Sequence, residues 1–339
     1  MMRFPGVDAA VFISSGVADS NITWLSGFDT DCCCLIVPAR GSPIMILGEI
    51  EAERASGFFK GNMIPTKDYW KDILKCISEY EVIGIDESQL SVFSLGQLKS
   101  SGRSFVDISR HCQQARAVKN ANEISTMAKA CSIGDQIITE CISSFGQFKR
   151  ESDVLKFLQD KTSDRGLECS FRPIVASGRN ASMPHHRTAN ALLTRGFCII
   201  DFGIRYRNYC SDITRTIFLG KPNEAENRLY QLLLSAQQET ISNSHSGSRY
   251  LELQAFCRQR LGQESSQFIH GLGHLLGIDV HEAFDKHELV LRPGMVMTIE
   301  PGIYYPGKTG LRIEDDILIT ANGPKLLTQV PRELICVPL

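Results

Sequence analysis

Two aspartates interrupt the otherwise apolar segment CIIDFGIRYRNYCSDITRT and are the first candidates for chemistry. Asp201 and Asp212 have an odd spacing, which would put them on opposite faces of one continuous strand. A turn at residues 205–208 would fold the segment into a hairpin instead. The two carboxylates would then converge on one face of the paired strands.

A second pair of acidic residues repeats this pattern further along the chain. Glu300 lies in MVMTIEPGIYY and Glu314 in GLRIEDDILIT, and YYPGKTG between them is a strong turn signal. Placed face to face, the two hairpins would gather four carboxylates around one point. Such a group repels itself unless cations are present. Divalent metals resolve the repulsion, and two-metal sites are typical of hydrolysis.

The alternative is that these carboxylates are solvent-facing residues of ordinary strands. Their number, their apolar flanks and the repeat of one hairpin in the other argue for a site. Glu314 and Asp316 share a strand face, so only one of the two need be functional.

Three histidines and a closing glutamate stand in HGLGHLLGIDVHE, which begins at His270. His270 and His274 have the four-residue spacing of two zinc ligands on a helix. A zincin helix would carry glutamate beside the first histidine, whereas this chain has Gly271 there. The glycines of this segment also disfavour a helix. The metal chemistry is therefore predicted to depend on the carboxylates with one imidazole, a hard site that favours manganese, cobalt or iron.

In these motifs the chain resembles the pita-bread metallopeptidases, specifically aminopeptidase P and prolidase. The resemblance covers residues 116–339 strongly and 1–115 in outline, where DSNITWLSGFD is similar to the N-terminal domain of the family. It implies an α/β N-terminal domain and an α+β catalytic domain of the creatinase/aminopeptidase type, with a pseudo-twofold antiparallel sheet. It also implies a pair of metal ions, manganese in the first place, with cobalt or zinc as alternatives. The implied ligands are Asp201, Asp212, His274, Glu300 and Glu314, with Asp212 and Glu314 bridging.

The resemblance assigns further roles around this centre. His185, from ASGRNASMPHHRTAN, would steady the transition state, while the adjacent His186 would point elsewhere. His281 would lie near the scissile bond, and Glu300 would also shuttle the proton of the bridging water. Packing or outer hydrogen bonding is the alternative for His270 and His281. The substrate pocket for the proline ring would be formed by His270, Tyr304 and Arg312.

The activity implied is removal of the residue that precedes a proline in second position, by attack of a metal-bridging hydroxide. The alternative is an Xaa-Pro dipeptidase, and the short spacing from His281 to Glu300 favours the aminopeptidase without deciding. SDITRT and the N-terminal domain argue against a methionine aminopeptidase. The retained ligands argue against a creatinase-like enzyme or a non-catalytic peptide-binding module.

The elements that must position these residues divide at about residue 115. Before it, DAAVFIS, CCCLIVP, PIMILG and EVIGID predict strands, with helices in EIEAERASGFF and DYWKDILKCISEY. A helical stripe follows, in which Gly134 is an unfavourable residue. Further helices are predicted around 222–242 and 248–261. We expect domains at 1–115 and 116–339.

Composition bounds the remaining classes of function. The 339 residues carry a net charge of −2, with 43% hydrophobic and 22% charged residues. This balance offers no attraction for nucleic acid or an anionic membrane. Neither a signal peptide nor a membrane span is predicted, so the twelve scattered cysteines are expected to be free thiols in a cytoplasmic protein. The expected partners are small peptides and, by resemblance, a second copy in a homodimer.

Overall fold

A computed structural model describes residue 4 and residues 6–338 of the chain. The chain folds into two compact units, Met1–Arg116 and Ala117–Leu339. No helix of the described part is both long and apolar enough to cross a bilayer.

The N-terminal unit is built on a six-stranded mixed sheet. Its strands are β1 (Ala9–Ser15), β2 (Cys32–Pro38), β3 (Ile44–Gly48), β4 (Asn62–Thr66), β5 (Val82–Ile85) and β6 (Ser104–Asp107), in the order β4-β3-β2-β1-β5-β6. The helices are α1 (Ser20–Ser26), α2 (Ala52–Ser56), preceded by a 3-10 turn at Glu49–Glu51, α3 (Tyr69–Ile77), α4 (Val92–Lys99) and α5 (Ser109–Ala117). The four strands and two helices predicted from the sequence are all present.

Both faces of this sheet are buried, because helices and loops cover each side. Cys33 packs with Phe12 and Leu35 on one face, whereas Cys34 packs with Ile36 on the other. The thiols of Cys33 and Cys34 therefore face opposite sides of the sheet. All twelve cysteines are free.

The C-terminal unit begins with the long helix α6 (Ala121–Ser143). Asn120 caps it, accepting hydrogen bonds from the backbone N–H groups of Asn122 and Glu123, while the Glu123 carboxylate accepts from Asn120 N. The helix runs unbroken through Gly134, which lies on its buried face against Ser211. The other helices are α7 (Glu151–Ser163), α8 (Glu224–Ser242) and α9 (Tyr250–Leu261), with 3-10 turns at Phe145–Gln147, Asn180–Ser182 and Gly262–Gln267.

Mostly antiparallel strands form the rest of this unit. They are β7 (Glu168–Cys169), β8 (Ile174–Ser177), β9 (Gly196–Phe202), β10 (Ile204–Tyr206), β11 (Tyr209–Cys210), β12 (Ile213–Leu219), β13 (Val296–Ile299), β14 (Gly302–Tyr305), β15 (Thr309–Arg312), β16 (Asp315–Thr320), β17 (Gly323–Leu326) and β18 (Cys336–Val337). The sheets have the orders β18-β12-β9-β8, β11-β10-β7, β13-β16-β17 and β14-β15.

Each half of the unit has its own apolar core, and each core is covered by two helices. Side chains of α6 and α7, such as Ile137 and Leu158, pack on Ile200 of β9. Side chains of α8 and α9 pack on β13 to β16 in the same way, with Leu233 against Ile317. The carboxylate-bearing strands are thereby held between the two layers of helices.

Candidate metal centre

The first predicted hairpin is present and brings its aspartates together. Strands β10 and β11 meet at Arg207 and Asn208, whose positive φ values of 47° and 70° define the turn. On the longer strands, Asp201 of β9 pairs with Thr214 of β12. Asp212 lies two residues before Thr214 and therefore shares its face. Both carboxylates are buried, with 8% and 4% of the residue exposed.

The second predicted hairpin is formed by β14 and β15, and its glutamates flank it. Glu300 follows β13, and Glu314 precedes β16, the strand that pairs with β13. Glu314 N donates to Thr214 O at 3.1 Å, which joins the two hairpins through the backbone. Thr214 Oγ1 also donates to Glu314 Oε2 at 2.6 Å. All four carboxylates line one cavity of about 470 Å³.

The geometry of this cluster suits a divalent cation. Among the described residues, Asp212, His274 and Glu314 offer ligand atoms that all lie within 4.8 Å of one another. His274 Nε2 lies 3.6 Å from Glu300 Oε1. Oδ1 of Asp201 and Oδ1 of Asp212 are buried and have no hydrogen-bond partner in the described structure. Because buried oxygens without partners are costly, these atoms fit the role of metal ligands.

The electrostatics of the metal-free cluster lead to the same conclusion. Burial, followed by repulsion from Glu314 and Asp201, raises the pKa of Asp212 well above its usual range. Burial and repulsion from Glu300 do the same to the pKa of Glu314. Burial raises the pKa of Glu300 to about 8, against the opposing effect of Arg312. Burial and mutual repulsion thus favour the protonated forms of these carboxyl groups, and a bound cation would favour the ionised forms.

The three histidines of HGLGHLLGIDVHE lie in this cavity, and the segment is not helical. Burial lowers the pKa of His274 to about 3 and that of His270 to about 4. Burial and the neighbouring His185 lower the pKa of His281. The His274 and His281 rings meet edge to face with centroids 4.1 Å apart. A neutral imidazole is the form that binds metal ions.

Arg312 connects a proposed metal ligand, Asp201, with Tyr304 and Pro184. Its guanidinium donates to Asp201 Oδ2, to Tyr304 Oη at 2.8 Å and to Pro184 O at 3.4 Å. His270 Nε2 lies 3.1 Å from the same Tyr304 hydroxyl. His270 and Arg312 line the cavity, together with His185 and the four carboxylates.

Tyr304 lies behind the cavity wall. The resemblance implied that it helps to form the pocket for proline; its ring is buried at 1% exposure and is not among the residues that line the cavity, so its substrate role stays a prediction. Its hydroxyl instead joins His270 to Arg312 from behind the wall. The reason is strand alternation, which turns Tyr304 away from the side that Tyr305 faces and into the protein between the sheets.

Several lining residues were not foreseen. Phe171, Ile174, Pro184 and Val280 supply an apolar wall, and Gly271 and Gly273 supply bare backbone. A Cβ on Gly273 would lie 2.0 Å from Thr298 O, so the glycine permits close approach of its segment to β13. The glycines beside the histidines could have indicated a close approach of the backbone to the site. Nothing in the sequence marked the apolar residues as part of the cavity lining.

A second hollow of about 650 Å³ is larger but contains none of the predicted site residues. Its rim carries Arg195 paired with Glu226, and Tyr305 bonded to Glu264. Because the predicted carboxylates and histidines converge on the smaller cavity, that cavity is the better candidate for chemistry.

Fold and site together define a metallopeptidase of the pita-bread type. The chain belongs to metallopeptidase family M24, whose model matches residues 125–321, and the creatinase/prolidase N-terminal domain matches residues 2–118. The predicted fold class and enzyme class are thereby confirmed.

Individual relatives span almost the whole chain. Xaa-Pro dipeptidase of Pyrococcus furiosus is 33% identical over 96% of this chain and 94% of its own length. The structure of X-Pro aminopeptidase from Thermotoga maritima superimposes with a TM-score of 0.91 at 26% identity, over 98% of both chains. The prolidase from Pyrococcus horikoshii does so with a TM-score of 0.89 at 32% identity, over 97% of this chain and 96% of its own.

Proposed function

We propose that this protein is an Xaa-Pro dipeptidase that depends on two divalent metal ions. The observation that carries the proposal is the buried cluster of Asp212, His274 and Glu314, with its neighbouring carboxylates of raised pKa. The choice of dipeptide is supported by relatives named Xaa-Pro dipeptidase at 33% and 34% identity.

The proposed ligands are the five residues predicted from the sequence. The ligand atoms of Asp212, His274 and Glu314 lie within 4.8 Å of one another, and Asp201 and Glu300 line the same cavity. By resemblance, Asp212 and Glu314 would be the ligands that both ions share. When bound, the ions supply Lewis acidity that activates water near neutral pH and stabilises developing negative charge. The oxygen-rich ligand set favours manganese, with cobalt or zinc as alternatives.

The surrounding side chains then perform proton transfer and orientation. Glu300 would accept the proton of the attacking water, because its carboxylate lines the cavity. Thr298 Oγ1 donates to this carboxylate at 3.4 Å and helps to orient it. His185 and His281 face the cavity and offer N–H groups to the developing oxyanion or the leaving nitrogen.

The substrate side of the cavity suits a proline ring. Phe171, Ile174 and Val280 provide apolar contact, and the neutral imidazole of His270 closes the wall. The peptide bond before proline has no N–H group that needs an acceptor. An apolar wall can therefore bury this bond without leaving a hydrogen-bond donor unsatisfied. Arg312 acts here by holding Asp201 and the Tyr304 hydroxyl in place.

The second candidate is an aminopeptidase that removes the first residue of longer peptides with proline in second position. It was the first expectation from the sequence, and the likeness to the Thermotoga maritima X-Pro aminopeptidase supports it. Hydrolysis of Ala-Pro and Ala-Pro-Ala, with manganese and after chelation, separates the two. Preferential cleavage of Ala-Pro supports the dipeptidase, and cleavage of the tripeptide alone supports the aminopeptidase. Cleavage of Met-Ala-Ser but neither proline peptide would overturn both.

Three broader predictions from the sequence belong to this proposal. Residues 1–115 would form the creatinase-like α/β domain and residues 116–339 the catalytic domain. The protein would work as a cytoplasmic homodimer. Light scattering on the purified chain measures the mass in solution and tests the dimer directly.

A further inference from the structure

His185 is exposed at the cavity and has no hydrogen-bond partner of its own within residues 4 and 6–338. An unrestrained imidazole samples several rotamers, which would weaken any role in orienting a substrate. The direction in which the His185 side chain leaves the chain must therefore be set by the backbone of residues 183–186.

That backbone is a tight turn. His186 N donates to Met183 O at 3.1 Å, so Met183 and His186 close a four-residue turn with Pro184 and His185 at its centre. Proline is favoured at the second position of such a turn because its φ is fixed. The turn therefore fixes where His185 leaves the backbone, provided that its end at His186 is held.

His186 is held by a buried carboxylate. Its Nε2 lies 2.9 Å from Oε2 of Glu151, the first residue of α7, which is completely buried. The other oxygen, Oε1, accepts from Ser177 N at 2.8 Å, Ser177 Oγ at 3.1 Å and Asn180 Nδ2 at 3.0 Å. Glu151 thus ties together β8, the 3-10 turn before His185 and the residue after it.

A third anchor lies further along the same loop. Thr188 Oγ1 accepts from Val175 N at 2.7 Å, which joins the loop to β8. His185 consequently stands between Asn180 on one side and His186 and Thr188 on the other. The loop has little freedom except at its exposed tip.

We infer that Glu151 and His186 are a positioning pair that aims His185 into the cavity. Neither touches the cavity, since both lie outside its lining, so they act through the turn. The inference rests on the proposed function for the role of His185. It assigns a role in orienting the substrate-binding histidine to His186, for which the sequence had predicted no role.

Two substitutions of His186 separate the hydrogen bond from the volume of the ring. His186→Phe keeps a ring but leaves Glu151 Oε2 without a donor, whereas His186→Gln keeps an N–H of similar reach. We expect His186→Phe to lower kcat for Ala-Pro by about 10- to 100-fold with little change in KM. His186→Gln should recover most of that loss. Arg187→Ala, at the exposed neighbour, is the matched control and should leave hydrolysis unchanged.

The double variant tests whether the pair acts through His185. In His185→Ala, adding His186→Phe should change kcat by less than about twofold, because the group to be aimed is already gone. Losses that multiply would overturn the inference, and so would full activity of His186→Phe. Thermal melting and metal content are measured alongside, and we expect the metal content to remain unchanged.

Hydrogen exchange over residues 180–190 of the metal-free protein gives a reading independent of activity. We expect faster exchange in His186→Phe and normal exchange in His186→Gln. If His185→Ala is fully active, the proposed role of His185 fails, and the exchange data alone decide whether the loop is positioned. Unchanged exchange in His186→Phe would overturn the positioning pair even if hydrolysis of Ala-Pro proceeds as proposed.

Discussion

Thr214 Oγ1 donates a hydrogen bond of 2.6 Å to Glu314 Oε2 and thereby joins the two carboxylate-bearing hairpins at the candidate metal centre. Thr214 itself is completely buried. The bond orients a proposed bridging carboxylate that would otherwise rotate among its neighbours. Thr214 of β12 therefore orients the proposed metal ligand Glu314, which lies 100 residues later in the chain.

Replacing this hydroxyl should weaken metal binding. Thr214→Val keeps the shape and removes the donor, so we expect metal affinity to fall by about 10- to 100-fold, as is typical for outer partners of metal ligands. Isothermal calorimetry with manganese measures the change. Thr126→Val removes an exposed hydroxyl of α6 as the matched control and should bind metal normally. Equal affinities in all three proteins would contradict the account.

Tyr304→Phe should impair the substrate wall without removing metal. The change deprives Arg312 Nη1 and His270 Nε2 of their shared partner, and an unsatisfied buried donor costs about 1–3 kcal/mol. We expect kcat/KM for Ala-Pro to fall by about 5- to 150-fold, with the metal content unchanged. Steady-state kinetics measures kcat/KM for Ala-Pro, and metal analysis measures the number of ions bound per chain.

The adjacent residue of the same strand supplies the control for that experiment. Tyr305 points the opposite way and bonds Glu264 at the second hollow. Tyr305→Phe removes the same hydroxyl group from the other face, so it should leave hydrolysis of Ala-Pro unchanged. If both variants lose activity equally, the loss reports on strand stability and not on the Tyr304 hydroxyl.

Gly273 should not tolerate a side chain. The Cβ of Gly273→Ala would lie 2.0 Å from Thr298 O, so the backbone beside His274 must shift, at a cost of about 1–3 kcal/mol or more. We expect a lower melting temperature and weaker metal binding. Gly146→Ala, where no atom lies within 4 Å of the new Cβ, is the control and should melt like the wild type.

Metal loading should release protons. Burial raises the pKa of Glu300 to about 8, and burial with neighbouring carboxylates raises those of Asp212 and Glu314. A raised carboxyl pKa stabilises the metal-free fold at low pH, and this contribution is lost as the pH rises through the folded value. Metal must displace these protons at pH 7, so its affinity should fall as the pH falls.

Calorimetry in two buffers of different ionisation enthalpy counts the protons released at pH 7. Glu300→Gln removes one of the groups that hold a proton, so it should release fewer protons per metal bound than the wild type. Metal binding that releases no protons, or an affinity that is independent of pH between 6 and 8, would show that the carboxylates are already ionised in the metal-free protein, contrary to this prediction.

The two hairpins were predictable because each turn is specified by a few consecutive residues. Arg207 and Asn208 occupy the left-handed turn expected within residues 205–208, and YYPGKTG joins β14 to β15. Side-chain alternation then places Asp201 and Asp212 on one face. This part of the site follows from the turn and the strand alternation together, although the chemical roles of its residues stay predictions.

Other features could not be read from the sequence, because they depend on contacts between distant segments. Strands β4 and β6 are short, half-exposed edge strands, and Pro65 weakens the pattern of β4. The contact of the Tyr304 hydroxyl with His270 depends on a segment that lies 34 residues earlier in the chain. Glu151 lies in a polar helix start that gives no sign of the four hydrogen bonds it accepts.

We propose that the Asp212–His274–Glu314 cluster holds the metal that hydrolysis requires. The most direct measurement is metal content per chain, together with Ala-Pro hydrolysis, for wild type and Glu314→Gln after manganese loading and desalting. We expect two ions and rapid hydrolysis in the wild type, and loss of both metal and activity in the variant. Full hydrolysis by Glu314→Gln, or by chelated wild type, would contradict it.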